Sequence, residues 1–145
     1  MIRFFVPGVP VPKGSAKAFV VKGRAVVTQD NGAKQKPWAS SISYVAQQAK
    51  MEAGCGMYLG PVSIRLEFTM PRLMSHYGTG KNAGQVKATA PFWHTSKPDL
   101  DKLVRCVKDA LTGVLWKDDS QVAMMPSVKK VYGDGPGVII EIQSL

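Results

Sequence analysis

The sequence predicts an α+β domain in which a mixed β-sheet packs against two main helices. Three observations carry this. VSIRLEFTM alternates apolar Val62, Ile64, Leu66 and Phe68 with Ser63, Arg65, Glu67 and Thr69, the pattern of a half-buried strand. Leu100, Leu103, Val104, Val107 and Leu111 recur at helical spacing. The tail, SVKKVYG then GVIIEIQ around Gly133-Asp134-Gly135, reads as a final pair of strands. With 145 residues and no internal repeat, the chain predicts one domain spanning residues 1–145.

The remaining elements follow in order. IRFFVPGVPV predicts an opening strand that Pro7 and Pro10 confine to a sheet edge or end early. The apolar runs AFVV and AVV, separated by Lys22-Gly23-Arg24, predict a hairpin. From about Lys36 to Ala53, Trp38, Ile42, Val45 and Ala46 lie at helical spacing, with Pro37 in the first turn and Gly54 and Gly56 as stops. Residues 71–97 have no sustained period and carry Gly78, Gly80, Gly84 and Pro91, which predicts a long and mobile loop of a kind that often has a function. A helix starts at Asp99 and ends at Gly113.

Composition narrows the function classes. No apolar run reaches the roughly 18 residues of a membrane span, and the N-terminus lacks a signal-peptide pattern. Cys55 and Cys106 are far apart with no CxxC pair, so neither a disulfide framework nor a zinc site is expected; the bias is towards a reducing, intracellular setting. The net charge is +9. Residues 1–98 hold 13 Lys/Arg against 3 Asp/Glu, whereas residues 99–119 hold 4 against 5. A broadly basic body suits a polyanion, with nucleic acid as the first candidate. The 71–97 segment interleaves Arg72, Lys81, Lys87 and Lys97 with Tyr77, Phe92 and Trp93, a composition able to grip a backbone and stack on bases. His76 and His94 are expected to be solvent-exposed rather than ligands.

The acidic interval reads KPDLDKLVRCVKDALTGVLWKDDS. Taken separately, Asp99 is a natural N-cap, Asp101 suits the first helical turn, and Lys117-Asp118-Asp119-Ser120 is turn chemistry. The helix from Asp101 to Thr112 is roughly 16 Å long. Residues 113–119, if extended, run back about 23 Å. Asp118 or Asp119 can then lie beside Asp99 and Asp101. Three carboxylates gathered there would take a hard cation, Mg²⁺ or Mn²⁺, and a metal facing a polyanion is suited to phosphodiester hydrolysis. Asp101, Arg105 and Asp109 share a helix face, so Asp109 is expected to orient Arg105 towards the scissile phosphate.

The run from Lys97 to Val122 resembles the signature of RusA-type Holliday junction resolvases, a family common in phages and prophages. Its pattern is matched by Asp99, Asp101, Leu103, Asp109, Ala110, Leu111, Trp116, Asp118, Asp119, Gln121 and Val122. GVPVPKG resembles the family's opening, with Lys13 at its basic position, and HYGTGKNAG resembles a loop of phage members. The resemblance implies a homodimeric, Mg²⁺-dependent endonuclease, cytoplasmic in a bacterium or phage-infected cell, that nicks two opposed strands of a four-way junction. Its carboxylates carry over to Asp99, Asp101 and Asp119 as metal ligands, and its catalytic lysine falls on Arg105. Lys102 stands where the family usually has Asn. Arg105 keeps the charge but does not readily release a proton. DNA contacts are expected from Lys13, Lys17, Arg72, Lys81, Lys97 and Lys102. A DNA-binding protein that cuts weakly, and a less selective flap nuclease, are the competing readings.

Overall fold

The computed structural model describes the backbone at residues 1–14, 16–29 and 32–145, and side chains at all of these except 16–19, 26–29 and 32. The order of elements is β1 (Ile2–Pro7), β2 (Ala16–Val21), β3 (Arg24–Gln29), α1 (Gly32–Glu52), β4 (Val62–Pro71), α2 (Leu100–Leu111), β5 (Val122–Gly133) and β6 (Gly137–Ser144). Single 3₁₀ turns lie at Met74–His76, Gly80–Asn82 and Asp119–Gln121.

The main sheet runs β1-β6-β4-β5, with β4 and β5 parallel and the other pairs antiparallel, so the sheet is mixed as expected. β1 is an edge strand that ends at Pro7. The parallel pairing requires a crossover, and α2 supplies it between β4 and β5. Ile64, Leu66 and Phe68 of β4 and Ile140 and Ile142 of β6 pack with Trp38 and Ile42 of α1 and Leu103, Val107 and Leu111 of α2 in one buried core. β2 and β3 pair apart from this sheet as a hairpin, with Lys22 and Gly23 both at positive φ (52° and 76°). That backbone matches the twist of a two-residue hairpin turn. No helix among the described residues is long and apolar enough to cross a membrane.

Three boundaries differ from the sequence expectation. α1 starts at Gly32, not near Lys36, so Pro37 lies inside it rather than in its first turn. The added residues, Gly32 to Lys36, carry only Ala33 as an apolar side chain, too little for a periodic pattern to register. β5 begins at Val122, five residues before Ser127, because its first half is mostly exposed and lacks strict alternation. The path after α2 is the consequential change. Gly113, at φ 88°, donates its N–H to Trp116 O at 2.7 Å, and Thr112 bridges to Trp116. Residues 112–116 therefore close a tight loop instead of an extended return. Trp116 drives this: its ring is fully buried and its Nε1 donates to Thr112 Oγ1 at 3.1 Å.

The 71–97 segment has little regular structure, yet its backbone is tied at many points. Lys87 N donates to His76 O (2.8 Å), Tyr132 N to Phe92 O (2.9 Å) and His94 N to Lys130 O (3.1 Å). Its last part thereby pairs with the outer edge of β5.

Candidate active site

α2 is the frame of the site. Its apolar side, Leu103, Cys106, Val107, Ala110 and Leu111, is buried, which forces Asp101, Arg105 and Asp109 to the exposed side. Asp99 holds the N-cap position with extended backbone, and its carbonyl accepts from Leu103 N at 3.3 Å. Its side chain makes no capping hydrogen bond, contrary to the simple expectation for an N-cap aspartate. The carboxylate is 60% exposed and lies 3.9 Å from Lys102 Nζ, so its oxygens are available to a ligand.

The loop before β2 crosses α2. Lys13 N donates to Lys102 O at 3.0 Å, and the Lys13 ammonium forms a close ion pair with Asp109. Asp109 thus engages Lys13 and not Arg105, correcting the expected ladder. Arg105 is exposed and has no ion-pair partner among the described residues. Between this loop and the start of α2 lies a cleft of about 460 Å³ lined by Lys13, Lys34, Lys97, Lys102 and Asp99 among others. Four lysines against one aspartate in the lining make a surface for a polyanion, even with the Lys13 ammonium paired to Asp109.

Asp118 and Asp119 do not reach Asp99 and Asp101. They line a second cleft with Lys13, Asp109 and Thr112, alongside the C-terminal half of α2, which shares Lys13 with the first. Among the described residues no three acidic, histidine or cysteine side chains gather as a metal site. The two aspartates of the pair are also not equivalent. Asp118 Oδ1 accepts from Ser120 N at 2.8 Å, which holds its carboxyl below the usual range, and Gln121 Oε1 accepts from Asp118 N at 3.1 Å in return. Gln121 Nε2 further donates to the carbonyls of Tyr58 and Gly60, both at 3.0 Å. Asp118 is committed to this cap, which leaves Asp119 as the member of the pair with its carboxylate outside it.

The other basic residues fare differently. Lys97 lines the cleft. Lys81 is exposed on the Gly80–Asn82 turn. Arg72 is a brace, donating to Pro91 O at 2.9 Å with its guanidinium 5.8 Å from the Tyr132 ring centroid. The side chain of Lys17 lies outside those described. His76 is buried and His94 half-buried, correcting the expectation that both are solvent-exposed. His76 is buried edge-on to Tyr132 at 4.6 Å and His94 packs on the same ring at 4.7 Å. Burial, then neighbouring Lys130, pushes the His94 pKa down.

Two residues near the site were not singled out in the sequence. Lys34 precedes the periodic part of α1 and left no signal. Lys130 donates to Ser96 O at 2.7 Å and Pro98 O at 2.6 Å, so it clamps the entry to α2. Its signal was present: in a strand, one lysine of the Lys129-Lys130 doublet must turn away from the solvent face.

Comparison with known proteins decides the family. A model of "Endodeoxyribonuclease RusA" matches residues 7–143. The chain belongs to the RusA endodeoxyribonuclease family. It is also 33% identical over 146 residues to the uncharacterized protein YqaN of Bacillus subtilis (strain 168), covering 99% of this chain and 96% of that one. For a RusA-family nuclease, exposed carboxylates beside a lysine-lined cleft are the features the chemistry requires. Oxygen donors alone suit Mg²⁺, which commonly binds through one or two carboxylates and keeps its remaining positions for water and phosphate. Asp99, in the cleft, and Asp101, exposed two residues on, are the carboxylates that could hold such an ion.

Proposed function

We propose that this chain is a Mg²⁺-dependent, structure-selective endonuclease that resolves four-way DNA junctions by paired, symmetric nicks. Family membership together with the exposed Asp99 carboxylate in a lysine-lined cleft carries the reading. Asp99 and Asp101 would hold the metal. When bound, a hard cation there supplies an activated water and neutralises charge on the scissile phosphate. Lys97 and Lys102 bind the flanking phosphates and fix the strand in the cleft, while Lys13 is tied to Asp109. Arg105, exposed on the Asp101 face of α2, stabilises charge on the leaving oxygen as a permanent cation and moves no proton.

Asp119 lies in the second cleft, which shares Lys13 with the first. Paired nicking of two strands calls for a homodimer.

The test uses a labelled four-way junction with matched linear duplex and flap controls, with and without Mg²⁺. Symmetric nicks in the junction alone, only with Mg²⁺, are the expected result. Tight binding without any cut would reduce the chain to a DNA-binding protein, and equal cutting of flaps would remove junction selectivity.

A further inference from the structure

Trp38 and Trp116 are buried in the core, but Trp93 is 56% exposed, and so is its neighbour Phe92. The two rings meet edge to face at 5.0 Å. Large aromatics left in water at adjacent positions mark an interaction site more often than a packing accident. These two are also held rigidly. Phe92 O accepts from Tyr132 N, Trp93 bridges to Val131 and His94 N donates to Lys130 O, so residues 92–94 are tied by a single bridge to the edge of β5. The His76–Tyr132–His94 ring stack lies against the same part of β5.

The rigid mount is indexed to the candidate metal site. Trp93 and Asp99 are six residues apart, at most about 20 Å of chain. Lys130 fixes that interval by bonding both Ser96 O and Pro98 O. In units of the 3.4 Å rise of one strand of duplex DNA, this is no more than about six steps. The nearest cation to the rings is Arg72, braced at Pro91, and Lys97 lines the cleft four residues beyond Trp93. A two-fold contact between copies through this patch would bring those cations towards their own counterparts, whereas DNA complements them.

We propose that Phe92 and Trp93 form an aromatic wedge that stacks on bases unstacked at a DNA branch point and sets the spacing from branch to cut phosphate. The proposal rests on the DNA-cleaving reading above, and base stacking on exposed aromatics needs no sequence preference.

Because the other two tryptophans are buried, Trp93 reports on itself. Metal-free protein is titrated with a four-way junction carrying 2-aminopurine at the branch and a fluorophore at one arm end. Arm anisotropy reads binding, tryptophan emission reads the wedge, and 2-aminopurine reads unstacking. Expected is a fall in tryptophan emission and a change in 2-aminopurine signal on binding, with the emission change absent in Trp93→Phe. Trp93→Ala should weaken junction binding roughly 5- to 150-fold, leave linear-duplex binding within about twofold, and abolish the 2-aminopurine change. Circular dichroism confirms that this exposed substitution keeps the fold. If anisotropy reports binding but wild type and Trp93→Phe show the same emission change, the wedge is overturned and the DNA reading stands. If anisotropy never changes, the DNA reading fails and the wedge with it. A shift in sedimentation mass for Trp93→Ala would make the patch a self-interface and likewise overturn the wedge.

Discussion

Lys130→Met removes the clamp on the entry to α2 while keeping a stem of similar length. The lost interactions are two charge-assisted hydrogen bonds, to Ser96 O and Pro98 O. Buried bonds of this kind contribute about 1.5–3 kcal/mol each. Lys130 is half-buried and Ser96 is exposed, so water recovers much of that on removal. About 2 kcal/mol for the pair is therefore expected. In a chain of this size the loss lowers Tm by roughly 5–8 °C, and urea unfolding should show a lower midpoint at unchanged m. The site should suffer more than the fold. Pro98 immediately precedes Asp99, and a displacement of about 1 Å at a reacting centre can lower the rate on the order of 100-fold. Single-turnover cleavage should thus fall about 10- to 100-fold, with junction affinity nearly unchanged. A variant with wild-type Tm and wild-type cleavage would refute the clamp. Equal losses in binding and cleavage would instead make Lys130 a phosphate contact.

Other outcomes follow from the same arrangement. Junction affinity should fall steeply with salt, with a log–log slope of at least about 3 in magnitude from the cleft lysines; a flat response, read by anisotropy, would remove the phosphate-dominated interface. Asp109→Asn releases Lys13 from its ion pair, so the slope should steepen by about 0.9, and an unchanged slope would show that Lys13 stays away from DNA. Cys55 is exposed and Cys106 is buried, its thiol pushed up to about 11 by burial and then by Asp109, with Lys13 pulling the other way. A maleimide should label Cys55 alone in the folded protein. Since folded Cys106 keeps a proton that the unfolded chain releases from its ordinary value of 9.0, stability should decline as pH rises from about 9 to about 11 and be flat in this respect below. Constant stability across that window would contradict the burial argument. The proposed homodimer is checked by sedimentation, where a monomer at working concentration would exclude it.

The parts of the fold that were legible in the sequence are those where one face is buried and the other wet. β4 and the α2 stripe expose a two- or 3.6-residue period because half of each surface must leave water. The hairpin was legible from the three residues Lys22-Gly23-Arg24 between apolar runs, of which the structure uses two as the turn. The start of α1 was not, since Gly32 to Lys36 carry no apolar side chain larger than Ala33. At the site, the residue types were legible but not their grouping. Asp99 and Asp101 read as a pair through two-residue spacing, yet the approach of Asp119 depended on whether residues 113–119 were extended. That was decided by Trp116, whose burial folds the loop tightly, a tertiary requirement that no local pattern expresses. The histidines were misplaced for a related reason: a polar residue in an irregular segment reads as exposed, and only packing on Tyr132 shows otherwise.

The most direct measurement compares wild type with Asp101→Asn on one labelled four-way junction, scoring binding without metal and cleavage with Mg²⁺ in the same preparation. The account predicts binding within about twofold of wild type, since removing one carboxylate weakens no phosphate contact, together with loss of cleavage. Retained Mg²⁺-dependent cleavage by Asp101→Asn would contradict the assignment of the metal to the Asp99–Asp101 pair.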